Sequence, residues 1–134
     1  MPILTLFKTK PKKSHKAYLI AQIDAIMSKR VRERDGYKCR HCGPKYGLKW
    51  PVFHHHIFGK KAHPATRWEI SNGISLCYHC HVSAHASPED FRRWVISWLG
   101  EEKYEALYIK AQFRTSFKEC DLEMLLKVMR MEKI

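Results

Sequence analysis

Two short cysteine pairs, Cys39-x-x-Cys42 and Cys77-x-x-Cys80, stand far apart in this chain and constrain its fold more than any other feature. Both thiolates of a C-x-x-C turn face one point, and two such turns complete the tetrahedral shell that Zn2+ prefers. To bring them together, the chain must leave the first pair, make an excursion and return to the second. A shell of four thiolates leaves no coordination position open, so the expected zinc is structural. His41 and His79 lie inside the two turns, but the outer cysteines are the expected ligands. The competing readings are buried reduced thiols and a redox dithiol, and no βαβ pattern surrounds either pair to support the latter. A chain with no secretory signal also favours metal over disulfides. Cys120, the fifth cysteine, reads as an ordinary semi-buried thiol.

Such a staple matters because 134 residues with 45% apolar content supply only a modest core. The formal charge of +12 points to a polyanionic partner. Its distribution is more informative: residues 1–50 hold 13 Lys and Arg against 3 Asp and Glu, whereas residues 51–134 hold 12 against 10. The basic stretch "FKTKPKKSHK" and the basic residues after it read as an arm facing nucleic acid, with a solubilising tail as the plainer reading. No long apolar span suggests a membrane role.

Three segments are expected in an α+β chain. Residues 1–16 form a basic flexible arm, whose "ILTLF" patch could dock on the body. Residues 17–86 form the core, and residues 87–134 form a helical extension packed on it. A helix is expected from Ala17 to Arg34, with Ile20, Ile23, Met27 and Val31 on one stripe; Asp35-Gly36 ends it. "LKWPVFHHHI" reads as a strand, confined to an edge or a bulge by Pro51. "KKAHPATRW" reads as a loop, "EISNGISL" as a second strand or turn, and "YHCHVSAH" as a helix start. Ser87 and Pro88 suit the start of a further helix that carries Phe91, Trp94, Val95, Trp98 and Leu99 and stops at Gly100. Tyr104, Leu107, Tyr108 and Ala111 make another apolar stripe, and Leu122, Leu125, Leu126 and Met129 a last one, capped by Asp121. These stripes are read as packing.

Histidines crowd the middle of the chain. A strand alternates faces, so His54 and His56 point one way and His55 the other. His81 and His85 are four apart on the expected helix and share a face. One ligand from the strand with His81 and His85 makes a three-imidazole site that leaves positions open for water and substrate, as catalytic metals require. A neighbouring unligated histidine, with a pKa near ~6.5, suits a general base at neutral pH. The plainer reading is a set of surface histidines near a helix start.

"RERDGYKCRHCG", then "FHHHI", then "NGISLCYHCHVSAH" resembles the HNH endonuclease family, with its ββα-metal (His-Me finger) core flanked by a zinc knuckle, over roughly Arg32 to His85. In that family a two-residue element before an aliphatic residue carries the metal ligand and then the base. Anchored on Ile57, the resemblance implies His55 as ligand and His56 as base, with His54 and His55 as the other possible register. It further implies Asn72 as the asparagine that pins the interstrand loop, His81 as the third family position and His85 as the further metal histidine. The implied activity is metal-dependent hydrolysis of DNA phosphodiesters, giving 5′-phosphate and 3′-hydroxyl ends, by nicking or by cutting both strands. An all-imidazole shell favours Mn2+, Ni2+, Co2+ or Zn2+ over Mg2+. Arg67 is a candidate for gripping phosphate, and Lys60 and Lys61 for diffuse attraction to the DNA backbone. The resemblance also implies a phage or prophage origin, work in the cytoplasm of a bacterial host and DNA-packaging proteins as partners. Monomer and homodimer are both compatible with the apolar tail.

Two other functions fit the same residues. One is a non-catalytic zinc-ribbon DNA-binding protein, against which stand the open three-histidine pattern and the lack of a base-reading helix near the knuckles. The other is a junction- or flap-specific recombination nuclease that shares the core and senses DNA shape with its helical tail.

Overall fold

The structure is a computed structural model and describes residues 13–43 and 51–132. Among these residues five helices surround one two-stranded antiparallel sheet. The apolar "ILTLF" patch and the segment from Leu48 to Trp50 lie outside them.

Helix α1 spans His15–Arg34. Its first turn takes in two residues read from the sequence as arm, because the Ser14 hydroxyl accepts a hydrogen bond from the Ala17 N–H at 3.1 Å and caps the helix there. Leu19, Ile23, Met27 and Val31, at helical spacing, are its buried residues; Ile20 packs at their margin. The helix stops at Asp35, and the chain turns through Gly36 and Tyr37, both at positive φ. Tyr37 is the non-glycine residue in that region, and glycine's freedom is what makes the first of the two turns easy.

Strands β1 (Val52–His56) and β2 (Gly73–Cys77) pair antiparallel, with His55 opposite Ile74 and His56 opposite Gly73. The expected second strand therefore begins at Gly73, after a single 3-10 turn at Ile70–Asn72. Among the described residues the sheet has two strands, so both are edges, which accommodates Pro51 just before β1. Helix α2 (Tyr78–Ala86) follows β2 directly and completes a ββα unit. Helix α1 covers one face of the hairpin, and its end is tied there by a buried charge network. Arg34 donates to both oxygens of Asp35 at 2.9 Å and to the carbonyls of Ile70 and Gly73 at 2.7 and 2.8 Å. Asp35 also accepts from the Ser75 N–H at 2.9 Å. Burial opposes the Asp35 charge, but these bonds outweigh it and hold its pKa below the ordinary carboxylate value.

Two apolar clusters result. In one, Leu19, Ile23 and Met27 of α1 meet Leu122, Leu126 and Met129 of α5 (Glu119–Met131). In the other, Ile74, Leu76 and Ala84 pack with the cysteines, covered by Phe91, Trp94 and Trp98 of α3 (Pro88–Leu99). The aromatic stripe is thus packing material for the knuckle. Helix α4 (Glu101–Ala111) covers the interstrand loop: Phe58 meets the rings of Tyr104 and Tyr108, and the Ala111 carbonyl lies 3.0 Å from His63 Nδ1. Tyr108 itself is exposed, so the stripe on α4 is buried only at Leu107 and Ala111.

Three local expectations are corrected. Cys120 is exposed, because it opens α5 on the side away from α1. Ser87 occupies the cap position of α3 without a side-chain cap bond. Asp121 caps α5 from its third position, accepting from the Lys118 N–H at 3.1 Å, with Lys118 as the cap residue.

Candidate functional site

The ligand atoms of Cys39, Cys42, Cys77 and Cys80 all lie within 4.8 Å of one another, an arrangement compatible with a zinc site. Each pair makes the turn its spacing demands. The Cys42 N–H points at Cys39 Sγ at 3.5 Å and the Cys80 N–H at Cys77 Sγ at 3.4 Å. Gly43, at φ +63°, lets the chain turn back so that residues 39 and 43 form a β-bridge. Burial works against the Cys39 thiolate, yet backbone N–H groups of Cys42, Cys77 and His41 outweigh it and lower the pKa. Burial and neighbouring thiols push Cys42 up to about 11 and raise Cys80 as well. Four sulfurs this close cannot all ionise without a positive charge among them, which is what a divalent cation supplies. His41 stays outside the cluster, its Nδ1 3.5 Å from Cys80 Sγ.

A second cluster forms on the hairpin face turned toward α2. His55 from β1 meets His81 and His85 from α2, with ligand nitrogens all within 4.8 Å of one another. His81 Nε2 and His85 Nε2 are 3.1 Å apart. Phe91 closes the cluster with its ring 4.9 Å from that of His55. Burial, followed by the neighbouring His81 and His85, pushes His55 down to about 3, and burial and His85 lower His81. A lowered pKa at His55 and His81 keeps the lone pairs of those two rings free at neutral pH, which is the chemistry a metal shell needs.

The opposite strand face carries His54 and His56, ring centroids 4.2 Å apart. His54 is packed under β2, where a Cβ on Gly73 would stand 2.6 Å from its Nε2. Burial, then His56, pushes it down to about 4. His54 therefore takes no part in the metal-type cluster, and the strand pairing puts His55 there. His56 ends β1 beside the loop. Burial and Lys60 lower its pKa, whereas Asp24 and a hydrogen bond to the Arg67 backbone act the other way.

Asn72 is fully buried and spans the interstrand loop at its base. Its Oδ1 accepts from the Phe58 N–H at 2.8 Å and its Nδ2 donates to the Phe58 carbonyl at 3.0 Å. The Ile57 N–H donates to the Asn72 carbonyl at 2.7 Å, extending the hairpin by one bond. These contacts hold the turn that follows His56.

A family model described as the Bacteriophage Lambda NinG protein matches residues 6–132. The chain belongs to the NinG family. That makes it a phage-type protein. No curated protein and no solved structure matches it. No helix among the described residues of this NinG-family chain is long and apolar enough to cross a membrane.

The loop residues singled out from the sequence of the NinG-family chain fare differently. Lys60 and Lys61 are exposed, and the charge of Lys60 reaches His56. Arg67 already has a partner: its Nε and Nη2 donate to Asp24 of α1 at 3.0 and 2.6 Å. The guanidinium fork that suggested a phosphate grip is taken up by a carboxylate. Asp24 and Gly73 are the residues that sequence reasoning missed, since an isolated acid in a helix and a glycine at a strand start carry no motif.

Proposed function

We propose that this NinG-family chain is a metal-dependent DNA endonuclease of the HNH type. The reading is carried by the convergence of His55, His81 and His85 on one point, with His56 the next residue of the strand, at the hairpin end. The donor set fits a divalent ion of borderline softness, because it is three neutral imidazoles with no carboxylate. Such an ion, when bound, would supply Lewis-acid stabilisation of the charge that develops on the scissile phosphate and its leaving 3′ oxygen. Residues of the chain do the rest. His56 takes the proton from the attacking water, a role for which a neutral imidazole suits. Asn72 keeps the following turn rigid, so that His56 faces the reacting atoms in one orientation. The exposed Lys60 and Lys61 attract the phosphate backbone, and the basic N-terminal half lengthens that footprint. The four cysteines hold a structural zinc, tying the end of α1 to the start of α2 and so fixing His81 and His85 against the strand. DNA is the partner, in the cytoplasm of a bacterial host, and DNA-packaging proteins are candidate associates.

Supercoiled plasmid incubated with the protein and Mn2+, Ni2+, Co2+, Zn2+ or Mg2+ provides the test. Nicked or linear DNA from wild type, with His56→Ala binding but not cutting, supports the reading. A mobility shift without cleavage under every metal would overturn it in favour of a binding module. Branched substrates included in the same assay report whether linear duplex or a junction is preferred.

A further inference from the structure

Helix α5 has two apolar faces, and α1 covers one of them. Leu122, Leu126 and Met129 are buried there. Cys120, Met124, Val128 and Met131 belong to the other face. At about 100° per residue these four fall within an arc of roughly 80°, centred nearly opposite the buried one. Cys120 is exposed, and Met124, Val128 and Met131 are exposed by 63%, 43% and 73%. Single apolar side chains on a surface are ordinary, but an aligned row over three turns is the seam of a helix that packs on another. The charges beside the row change sign along the helix. Glu119 and Glu123, half-exposed and 3.6 and 3.1 Å from His15 Nε2 of α1, precede the exposed Lys127 and Arg130. Helical spacing puts all four on one edge of the row, and Glu123, Lys127 and Arg130 line the same groove beside α1. A helix dipole favours acids in the first turn and bases in the last, but its effect has faded by the middle turns, where Glu123 and Lys127 stand.

We propose that the chain pairs with a second copy of itself through the exposed face of α5, the two helices lying antiparallel about a two-fold axis at the level of Leu125. Turning the helix end for end lays its acidic half on the basic half of the other copy. Glu123 then faces the partner's Lys127, Glu119 the partner's Arg130, and Cys120 the partner's Met131. A reversal of charge about the midpoint of one helix is complementary to itself under such an axis, which is what selects a second copy as the occupant. Helix α5 has 13 residues and is about 20 Å long. Its face is therefore smaller than the ~800 Å² per partner of a standard interface, and the dimer is expected at micromolar concentrations. The pairing does not depend on the endonuclease reading.

Sedimentation equilibrium of the zinc-loaded full chain, from about 5 to 200 µM, tests this. Wild type should show a reversible monomer–dimer equilibrium. Met124→Lys and Val128→Lys, at exposed positions and with the fold checked by circular dichroism, should each raise the dissociation constant about 10-fold or more. Glu123→Lys should weaken pairing by setting like charges opposite each other, and adding Lys127→Glu should restore it, since each lysine then meets a glutamate of the partner. Orientation is read by cross-linking. In Met131→Cys a short bismaleimide should join residue 120 of one copy to residue 131 of the other, identified by peptide mass. The two wild-type Cys120 thiols, about 16 Å apart along the axis, should not be joined. A monomer throughout the range overturns the proposal, as does a dimer that both lysine variants leave intact. A link between the two Cys120 residues of wild type, the mark of a parallel pair, overturns it as well. If Met124 of a monomeric wild type resists peroxide as a buried methionine does, the cover is the chain's own residues 1–12, and the second copy is again overturned.

Discussion

Replacing Gly73 by alanine turns a small change into a test of how tightly the hairpin is packed. Gly73 has φ −103° and ψ 143°, a conformation open to any residue. On backbone grounds alone, alanine there should stabilise the fold by about 0.4–1 kcal/mol, because the unfolded chain loses freedom. The structure reverses that sign. A Cβ at Gly73 would lie 2.6 Å from Val31 Cγ2 and 2.6 Å from His54 Nε2, each about an ångström inside ordinary contact. Val31 is fully buried and β-branched, so it has little freedom to turn aside. His54 can retreat only against the His56 ring, 4.2 Å away. Overpacking of this kind costs about 1–3 kcal/mol, which leaves a net loss of roughly 1–2 after the backbone gain. With a urea slope of about 1–3 kcal/mol per molar, the unfolding midpoint should fall by about 0.3–2 M. The measurement needs a fixed zinc concentration, since bound metal moves the midpoint by mass action. Because the strain is passed to His56, cleavage should fall along with stability. A midpoint that rises in Gly73→Ala would refute the close approach of β2 to α1 and with it the packing assigned to His54.

Three other variants probe separate parts of the site. Asn72→Ala should cost about 2–4 kcal/mol, since it leaves the Phe58 N–H and carbonyl without their buried partner as well as opening a cavity; thermal unfolding and faster hydrogen exchange at the Phe58 amide would show it. His85→Ala should keep its fold by circular dichroism, as His85 is exposed, but lose nickel or cobalt binding at the histidines and with it cleavage. For pH, His54 has its folded pKa lowered to about 4 from an ordinary 6.5, so the native state binds fewer protons than the unfolded chain between those values. Its contribution is therefore complete above about pH 6.5 and is lost as the pH falls toward 4; His54→Phe should show a shallower loss of urea midpoint over that window than wild type, and an equal slope would contradict the burial of the ring.

What could be read from the residues, and what could not, divides along physical lines. The C-x-x-C spacing dictates a turn whatever surrounds it, so the meeting of the four sulfurs was legible. Strand alternation placed His55 against His54 and His56, and helical spacing put His81 and His85 on one side. The triple histidine still left two registers open, because alternation says which residues share a face and not which face meets α2. Pairing of His55 with Ile74 and the packing of His54 beneath Gly73 supply that information, and both depend on contacts between distant segments. Arg67 shows the same limit more sharply. Residue type suggested a phosphate grip, but a guanidinium serves any nearby acid, and Asp24 lies far back in α1 with nothing in its local sequence to mark it. Cys120 was misplaced for a similar reason: hydrophobicity favours burial, whereas the orientation of α5 is set by Leu122, Leu126 and Met129.

The most direct test of the histidine site is anomalous scattering from a crystal soaked with manganese or nickel. The site described above predicts a peak bonded to the side chains of His55, His81 and His85, with the His56 ring unligated. A crystal of active protein in which the ion sits elsewhere, or in which those three imidazoles stand apart with no density between them, would contradict it.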